Sequence, residues 1–314
     1  MLYLDLPAVR RLLSLPDLIA ALRPALRAFS AGEVVQPVRT ILPIEPHRGF
    51  FGVMPAYAGA LGAKLVAFYP ENRGIPTHHA LIVLFRPETG EPLAVMDGTL
   101  ITEVRTAAVS AIATDLLARA DARVLCLLGS GVQARSHLEA LRLVRPFTEV
   151  RVWSPRNAAA FAREHGVTMQ PTAQAAVRGA DVVVVATSSR VPVLEGAWLA
   201  PGTHVNAVGA CRPDWRELDD AALAVARLYV DSEAAALVES GDIIAARTPV
   251  TELGTLIARP ELGRRDPGEI TLFKSLGLAV EDIVAATLVY ERATLEGAGS
   301  GGATPEPRRA RQED

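Results

Sequence analysis

Residues 124–134 read Val-Leu-Cys-Leu-Leu-Gly-Ser-Gly-Val-Gln-Ala, and this stretch decides the fold. Val124 to Leu128 form a short, wholly apolar run, as a strand buried on both faces of a parallel sheet requires. Gly129 to Ala134 then spell G-x-G-x-x-A, an accepted form of the Rossmann fingerprint. Gly129 makes the tight turn, and Gly131 lets the backbone approach a pyrophosphate lying on the N–H groups of the next helix. Such a fingerprint is weak alone, but a strand before it and a helical stretch after it supply its context. The stretch predicts dinucleotide binding.

Further apolar runs follow at Val150 to Trp153, Asp181 to Ala186, His204 to Val208, Leu228 to Val230 and Ile270 to Phe273. Helical segments lie between them, so the fold class is α/β, with a Rossmann-type doubly wound domain over residues 119–277. The second run ends in Val152-Trp-Ser-Pro-Arg-Asn157, without an acid. An NAD site wants a carboxylate there for the ribose hydroxyls. The Ser154 hydroxyl and the Arg156 guanidinium instead suit a 2′-phosphate, so NADPH is the expected cofactor.

On the N-terminal side, helix and strand signals mix. A helix start at Ser14, with Pro16 and Asp17, is followed by helical spacing as far as Gly32. Strand candidates lie at Phe50 to Met54, Lys64 to Tyr69, Ala80 to Phe85 and Leu93 to Met96, and helical spacing returns from Thr102 to Leu117. Residues 1–118 thus read as mixed α and β, and a long amphipathic segment at 278–296 closes the fold. The Gly/Pro-rich, charged residues 297–314 read as a disordered tail.

Composition narrows the classes. The 314 residues, 50% of them hydrophobic, suffice for one large or two medium domains. A net charge of −3 leaves no electrostatic footprint for nucleic acid or an anionic membrane. Cys126 and Cys211 are too few for a disulfide framework, and neither they nor the six histidines follow a metal-ligand pattern, so no metal is expected. The start of the chain lacks the features of a signal peptide, and no run of about 18 apolar residues occurs. A soluble, cytoplasmic protein is the expectation.

Of the 32 lysines and arginines, only Lys64 and Lys274 are lysines. Arginine replaces lysine on a surface, but not where a compact ammonium or a labile proton is needed. Lys64 stands beside an otherwise apolar run, Arg105 near the start of a helix of small residues, and Arg39 in Gln36-Pro-Val-Arg-Thr40. Each alone has a structural explanation. Together they would clamp a carboxylate beside a cofactor, as an amino-acid-like substrate needs.

The segments QPVRT, HRGFFGVMPAY, AVMDGTLITEVRTAAVSAIAT, VLCLLGSGVQARSH, NAVGACRPDWRELDDA, YVDSEAAALVESGD and FKSLGLAVED resemble the mu-crystallin branch of the ornithine cyclodeaminase/mu-crystallin family, over nearly the whole chain to about Arg292. The resemblance implies a homodimer, an α+β substrate-binding and dimerisation domain formed by residues 1–118 with the segment 278–296 returning to it, a Rossmann domain binding NADPH, and reduction of small cyclic imino acids such as Δ1-piperideine-2-carboxylate and Δ1-pyrroline-2-carboxylate. It places Arg39, Lys64 and Arg105 at the substrate, with Thr77, His78 and Arg105 near the nicotinamide. Gly129, Gly131, Val132, Gln133, Ser154, Arg156, Thr187, Ser188, Val208 and Ser275 match cofactor contacts. His78 has a structural alternative, and His137 and Cys126 read as packing residues.

One departure separates the branches. Cyclodeaminases carry an aspartate in a G-G-D-C-P segment, and here Gly209-Ala-Cys-Arg-Pro213 puts Cys211 in its place. A neutral thiol cannot serve as that carboxylate, which favours reduction over deamination. Asp214 and Glu217 follow the mu-crystallin pattern instead. An ornithine cyclodeaminase, an alanine-dehydrogenase-like enzyme and an NADPH-dependent binder of a thyroid-hormone-like ligand are the alternatives.

Overall fold

Between residues 49 and 97 burial alternates residue by residue along much of each strand, as in a sheet with one face toward the core. The computed structural model describes residues 1–300. Strands β1 (Leu2–Leu4), β2 (Thr40–Ile44), β3 (Gly49–Tyr57), β4 (Leu61–Phe68), β5 (His78–Phe85) and β6 (Pro92–Asp97) pair in the order β1-β6-β5-β4-β3-β2. All pairs are antiparallel except β1 with β6. Register places Met54, Lys64 and Ile82 side by side on one face. That face is covered by the helices Gly98–Leu117 and Ala279–Ser300, with the helix Leu15–Ser30 packed on both of them, around a core that includes Leu18, Leu22, Ile82, Met96 and Ile283.

The second sheet is wholly parallel. Its strands β7 (Val124–Leu128), β8 (Glu149–Trp153), β9 (Thr168–Met169), β10 (Val182–Val185), β11 (His204–Ala207), β12 (Ala226–Val230), β13 (Thr251–Glu252) and β14 (Ile270–Lys274) run in the order β13-β12-β14-β11-β10-β7-β8-β9. The four valines of β10 are fully buried, since helices cover both faces. From β7 the chain moves outward to β8 and β9, and β10 then returns to the other side of β7. That reversal opens a crevice at the carboxyl ends of β7 and β10, where such sheets bind ligands.

The helix Gly98–Leu117 packs against strands of both sheets. It begins four residues before the Thr102 expected from spacing, because the Asp97 side chain accepts a bond from the Leu100 N–H at 2.9 Å and caps it. Ala107, Ala108, Ala111 and Ala113 are fully buried, so small residues here serve close packing on either side. The last helix also outruns its expected end, continuing to Ser300 through the first residues of the stretch read as a tail. Residues 301–314 of that stretch lie outside the described residues.

Four strands escaped the sequence reading: β1, β2, β9 and β13. Each is an edge strand of two to five residues. An edge needs only one neighbour and little burial, so neither alternation nor an apolar run marks it. Lys64, read as the start of a strand, lies instead within β4, which begins at Leu61.

Candidate active site

Between the two sheets lies a cleft of about 1390 Å³. Its lining includes every residue that the sequence put forward: Arg39, Lys64, Thr77, His78, Arg105, Gly129, Gly131, Val132, Gln133, Ser154, Arg156, Thr187, Ser188, Val208 and Ser275. Lys274 is not among the lining residues.

The crevice side follows from glycine geometry. Gly129 has φ +118°, and a Cβ there would lie 2.2 Å from the Ala186 carbonyl oxygen, so the turn out of β7 admits no side chain. A Cβ on Gly131 would meet nothing within 4 Å, which leaves the backbone open to the cleft. The helix Val132–Leu141 starts at this glycine without a side-chain cap, so its first N–H groups remain for an anion. Ser130 and Ser154 join their hydroxyls at 3.0 Å across the ends of β7 and β8, with Arg156 exposed just beyond. These features fit a dinucleotide: a bare turn for the pyrophosphate, and a hydroxyl and a guanidinium where a ribose acid would otherwise stand.

Opposite this turn, the strand β4, the helix Gly98–Leu117 and the segment before β2 bring in positive charge. Lys64, 2% exposed, pairs with Asp282 at 2.6 Å. Arg105, 5% exposed, donates from Nε to Asp282 at 3.1 Å and from Nη1 to Glu281 at 2.8 Å. Arg39 holds Glu239 at 3.0 Å and donates from Nη2 to the carbonyls of Leu276 and Gly277. Gly277 passes so close beneath Arg105 that a Cβ would fall 2.1 Å from Nη1. Its turn is in turn held by Asp231, whose Oδ2 accepts from the N–H groups of Leu276 and Gly277 at 2.6 Å each.

Burial and these pairings set the protonation states. Burial pulls the Lys64 ammonium down to about 8 against the opposing pull of Asp282. It therefore stays charged at neutral pH yet is poised to release a proton. Burial pushes the Glu281 carboxyl up to about 7, partly offset by Arg105. Burial also resists ionisation of Asp282, but Lys64 and Arg105 together overcome it and hold that carboxyl below its ordinary value. His78, inward-facing at the start of β5, is brought down to about 4 by burial and by the Lys64 and Arg105 charges, so its imidazole is neutral at pH 7.

The acids were the residues that sequence reasoning missed. Glu281 and Asp282 are fully buried in the first turn of the last helix, and Asp231 ends the β12 region. Their signal was present, because each is an acid set in an apolar stretch of a motif quoted above, and such an acid is buried only with a partner. His137 and Cys126 are buried as expected, His137 bonding Ser110 at 2.9 Å and the Gln133 carbonyl at 2.7 Å. Lys274 lies beneath the cleft, 3.3 Å from Asp242. Among the described residues no group of three His, Cys, Asp or Glu side chains is placed to hold a metal, and no helix is long and apolar enough to cross a membrane.

A doubly wound sheet with a bare glycine turn at its switch point, facing buried cations across a shared cleft, defines a Rossmann-type dinucleotide-binding protein with an adjoining ligand compartment. The particular lineage follows from the sequence: residues 3–297 match the ornithine cyclodeaminase/mu-crystallin family, and the chain belongs to it. It is similar to ketimine reductase mu-crystallin of Mus musculus, 50% identical over 287 residues covering 87% of this chain and 91% of that one. Its structure is similar to Thermococcus litoralis Δ1-pyrroline-2-carboxylate reductase in complex with NADH and L-proline, with TM-score 0.90, 39% identity, and 95% and 98% of the two chains covered. An archaeal alanine dehydrogenase dimer with bound NAD superposes with TM-score 0.89 at 37% identity, covering 95% and 97%.

Proposed function

We propose that this protein is a cytoplasmic, NADPH-dependent reductase of cyclic ketimines, converting substrates of the Δ1-piperideine-2-carboxylate and Δ1-pyrroline-2-carboxylate type to cyclic L-amino acids. The observation that supports it most is the Lys64, Arg39 and Arg105 group facing the Gly129–Gln133 turn across one cleft. The resemblance to reductases of such imines points the same way, and the two cysteines are both free, as suits a reducing compartment. The cofactor, when bound, supplies the hydride. Arg39 and Arg105 hold the α-carboxylate, each kept rigid by its acidic partner. Lys64 bonds the carboxylate or delivers a proton near the imine nitrogen. Residues 1–118 with 278–296 carry the substrate side, and residues 119–277 the cofactor side.

The likeness to an alanine dehydrogenase supports a second reading, and one assay separates them. Cofactor oxidation is followed with each cyclic imine and with pyruvate plus ammonia, and ammonia release from ornithine is measured alongside. Oxidation with the imines is the expected result. Turnover confined to pyruvate, or ammonia release from ornithine, would overturn the reductase reading.

NADPH preference rests on Ser154 and Arg156 at the end of β8, where no acid stands. Arg156→Ala is expected to raise the Michaelis constant for NADPH about five- to tenfold, as loss of one exposed charge-assisted bond would, with little change for NADH. A wild type that uses NADH better than NADPH rejects this assignment.

The outer face of the first sheet supports a dimer. Phe51, Val53, Tyr57, Leu65, Leu81 and Val83 share the face turned away from the last helix. Phe51, Tyr57 and Leu81 are 37%, 44% and 45% exposed. A contiguous apolar sheet face of this kind marks an interaction surface, and a second copy of the chain covers it in a twofold arrangement. Light scattering is expected to give twice the 33.4 kDa chain mass, and Leu81→Asp to shift it toward the monomer. A stable wild-type monomer at micromolar concentration rejects the dimer.

A further inference from the structure

Beneath the cleft, and outside its lining, lies a second buried charge cluster. Glu217, Asp242 and Lys274 are each fully buried. Glu217 Oε1 accepts from the Thr187 N–H at 2.8 Å and from the Thr187 hydroxyl at 2.6 Å. Its Oε2 accepts from the N–H groups of Gly209 at 2.7 Å and Ala210 at 3.0 Å. Thr187 follows β10 and Gly209 follows β11, so one carboxylate joins the carboxyl ends of two adjacent strands. Glu217 is itself pinned from below. Asp242 Oδ1 accepts from the N–H groups of Glu217 and Leu218 at 3.1 and 3.2 Å, while its Oδ2 holds Lys274 at 3.3 Å.

We propose that Glu217 is a positioning residue that locks the ends of β10 and β11 into a fixed seat for the nicotinamide half of the cofactor. The inference rests on the dinucleotide reading above. In a doubly wound sheet the dinucleotide spans the switch point, so Ser154, after β8, faces the adenosine half and the ends of β10 and β11 face the other. Four donors converge on Glu217, and only a group that accepts at both oxygens satisfies all of them. A glutamine of the same shape would turn its NH2 either toward the Thr187 N–H or toward the N–H groups of Gly209 and Ala210, and so leave at least one buried backbone donor without an acceptor. Gly209 belongs to the same device, because a Cβ there would lie 2.2 Å from the Thr187 carbonyl and 2.4 Å from Glu217 Oε1.

The test is calorimetric titration of the full-length wild type, Glu217→Gln and Gly209→Ala with two probes. NADPH reports both halves of the seat, whereas adenosine 2′,5′-bisphosphate carries no nicotinamide and reports only the Gly129–Gln133 and Ser154 side. Either variant is expected to bind NADPH about tenfold or more weakly, Glu217→Gln because a buried donor loses its acceptor and Gly209→Ala because its Cβ must displace the Thr187 carbonyl or the Glu217 carboxylate, while the bisphosphate stays within about twofold of wild type. Gly209→Ala keeps the carboxylate, so it carries the test where Glu217→Gln does not fold. Unchanged affinity for NADPH overturns the proposal. So does a parallel loss for both probes, which would mean general disruption. A wild type that binds neither probe refutes the cofactor reading itself, and this inference with it.

Discussion

Lys64→Arg is expected to lower turnover by on the order of 10²–10⁴-fold, the usual cost of losing a positioned acid–base group, while NADPH affinity stays close to that of wild type. The side chain is buried within β4, flanked in register by Met54 and Ile82, with its ammonium 2.6 Å from Asp282. A guanidinium is larger and planar, and it does not release its proton near neutral pH. Lys64→Met should be impaired to a similar degree. Because the ammonium is held at about 8, wild-type turnover should be level at lower pH and fall as pH rises through that value, where the donor loses its proton. The residual activity of Lys64→Arg should lack that descending limb. Near-normal turnover in the arginine variant would falsify the acid–base role and leave Lys64 as a charge alone.

Asp282→Asn is expected to cost about 3–5 kcal/mol of folding stability, the range for breaking a buried ion pair on one side. Asp282 answers both Lys64 and Arg105, so its neutral isostere leaves two buried cations facing an amide. Urea unfolding at pH 7 measures the loss. Adding Lys64→Met to Asp282→Asn should recover part of it, because one orphaned charge is then removed and the two changes are coupled. Simple additivity of the two single losses would show that the pair is not the coupled unit drawn above. Exposed pairs such as Arg48 with Glu71 provide the contrast: breaking them should change stability by no more than about 1 kcal/mol.

The second sheet was legible because its strands β7 and β10 are contiguous apolar runs and the others are largely apolar, and the run at Val124–Leu128 leads straight into the glycine turn. Burial on both faces is a local property, written in consecutive residues. The edge strands β1, β2, β9 and β13 carry no such mark, since their pairing is supplied by a neighbour already in place. The cations of the site were also legible, Lys64 through its rarity and Arg105 through the small residues around it. What packs against Arg105, however, is not only a ligand compartment but Gly277 and the carboxylates of Glu281 and Asp282.

The sequence by itself determined the doubly wound sheet, the dinucleotide turn and the missing acid after β8, and it singled out Arg39, Lys64 and Arg105, which line the cleft. Apart from the rarity of lysine and the succession of runs along the chain, these are short-range patterns, carried by residue type and spacing within a dozen positions. Only the tertiary structure decided that Lys64 and Arg105 are buried and already paired, that burial brings the Lys64 ammonium down to about 8, and that Glu217 ties two strand ends together. Arg105 and Asp282 stand 177 residues apart in the chain. A buried charge is tolerated only where an opposite one meets it, and which acid meets which base depends on how the last helix returns across the first sheet. That return is a long-range event, and no local pattern encodes its partners.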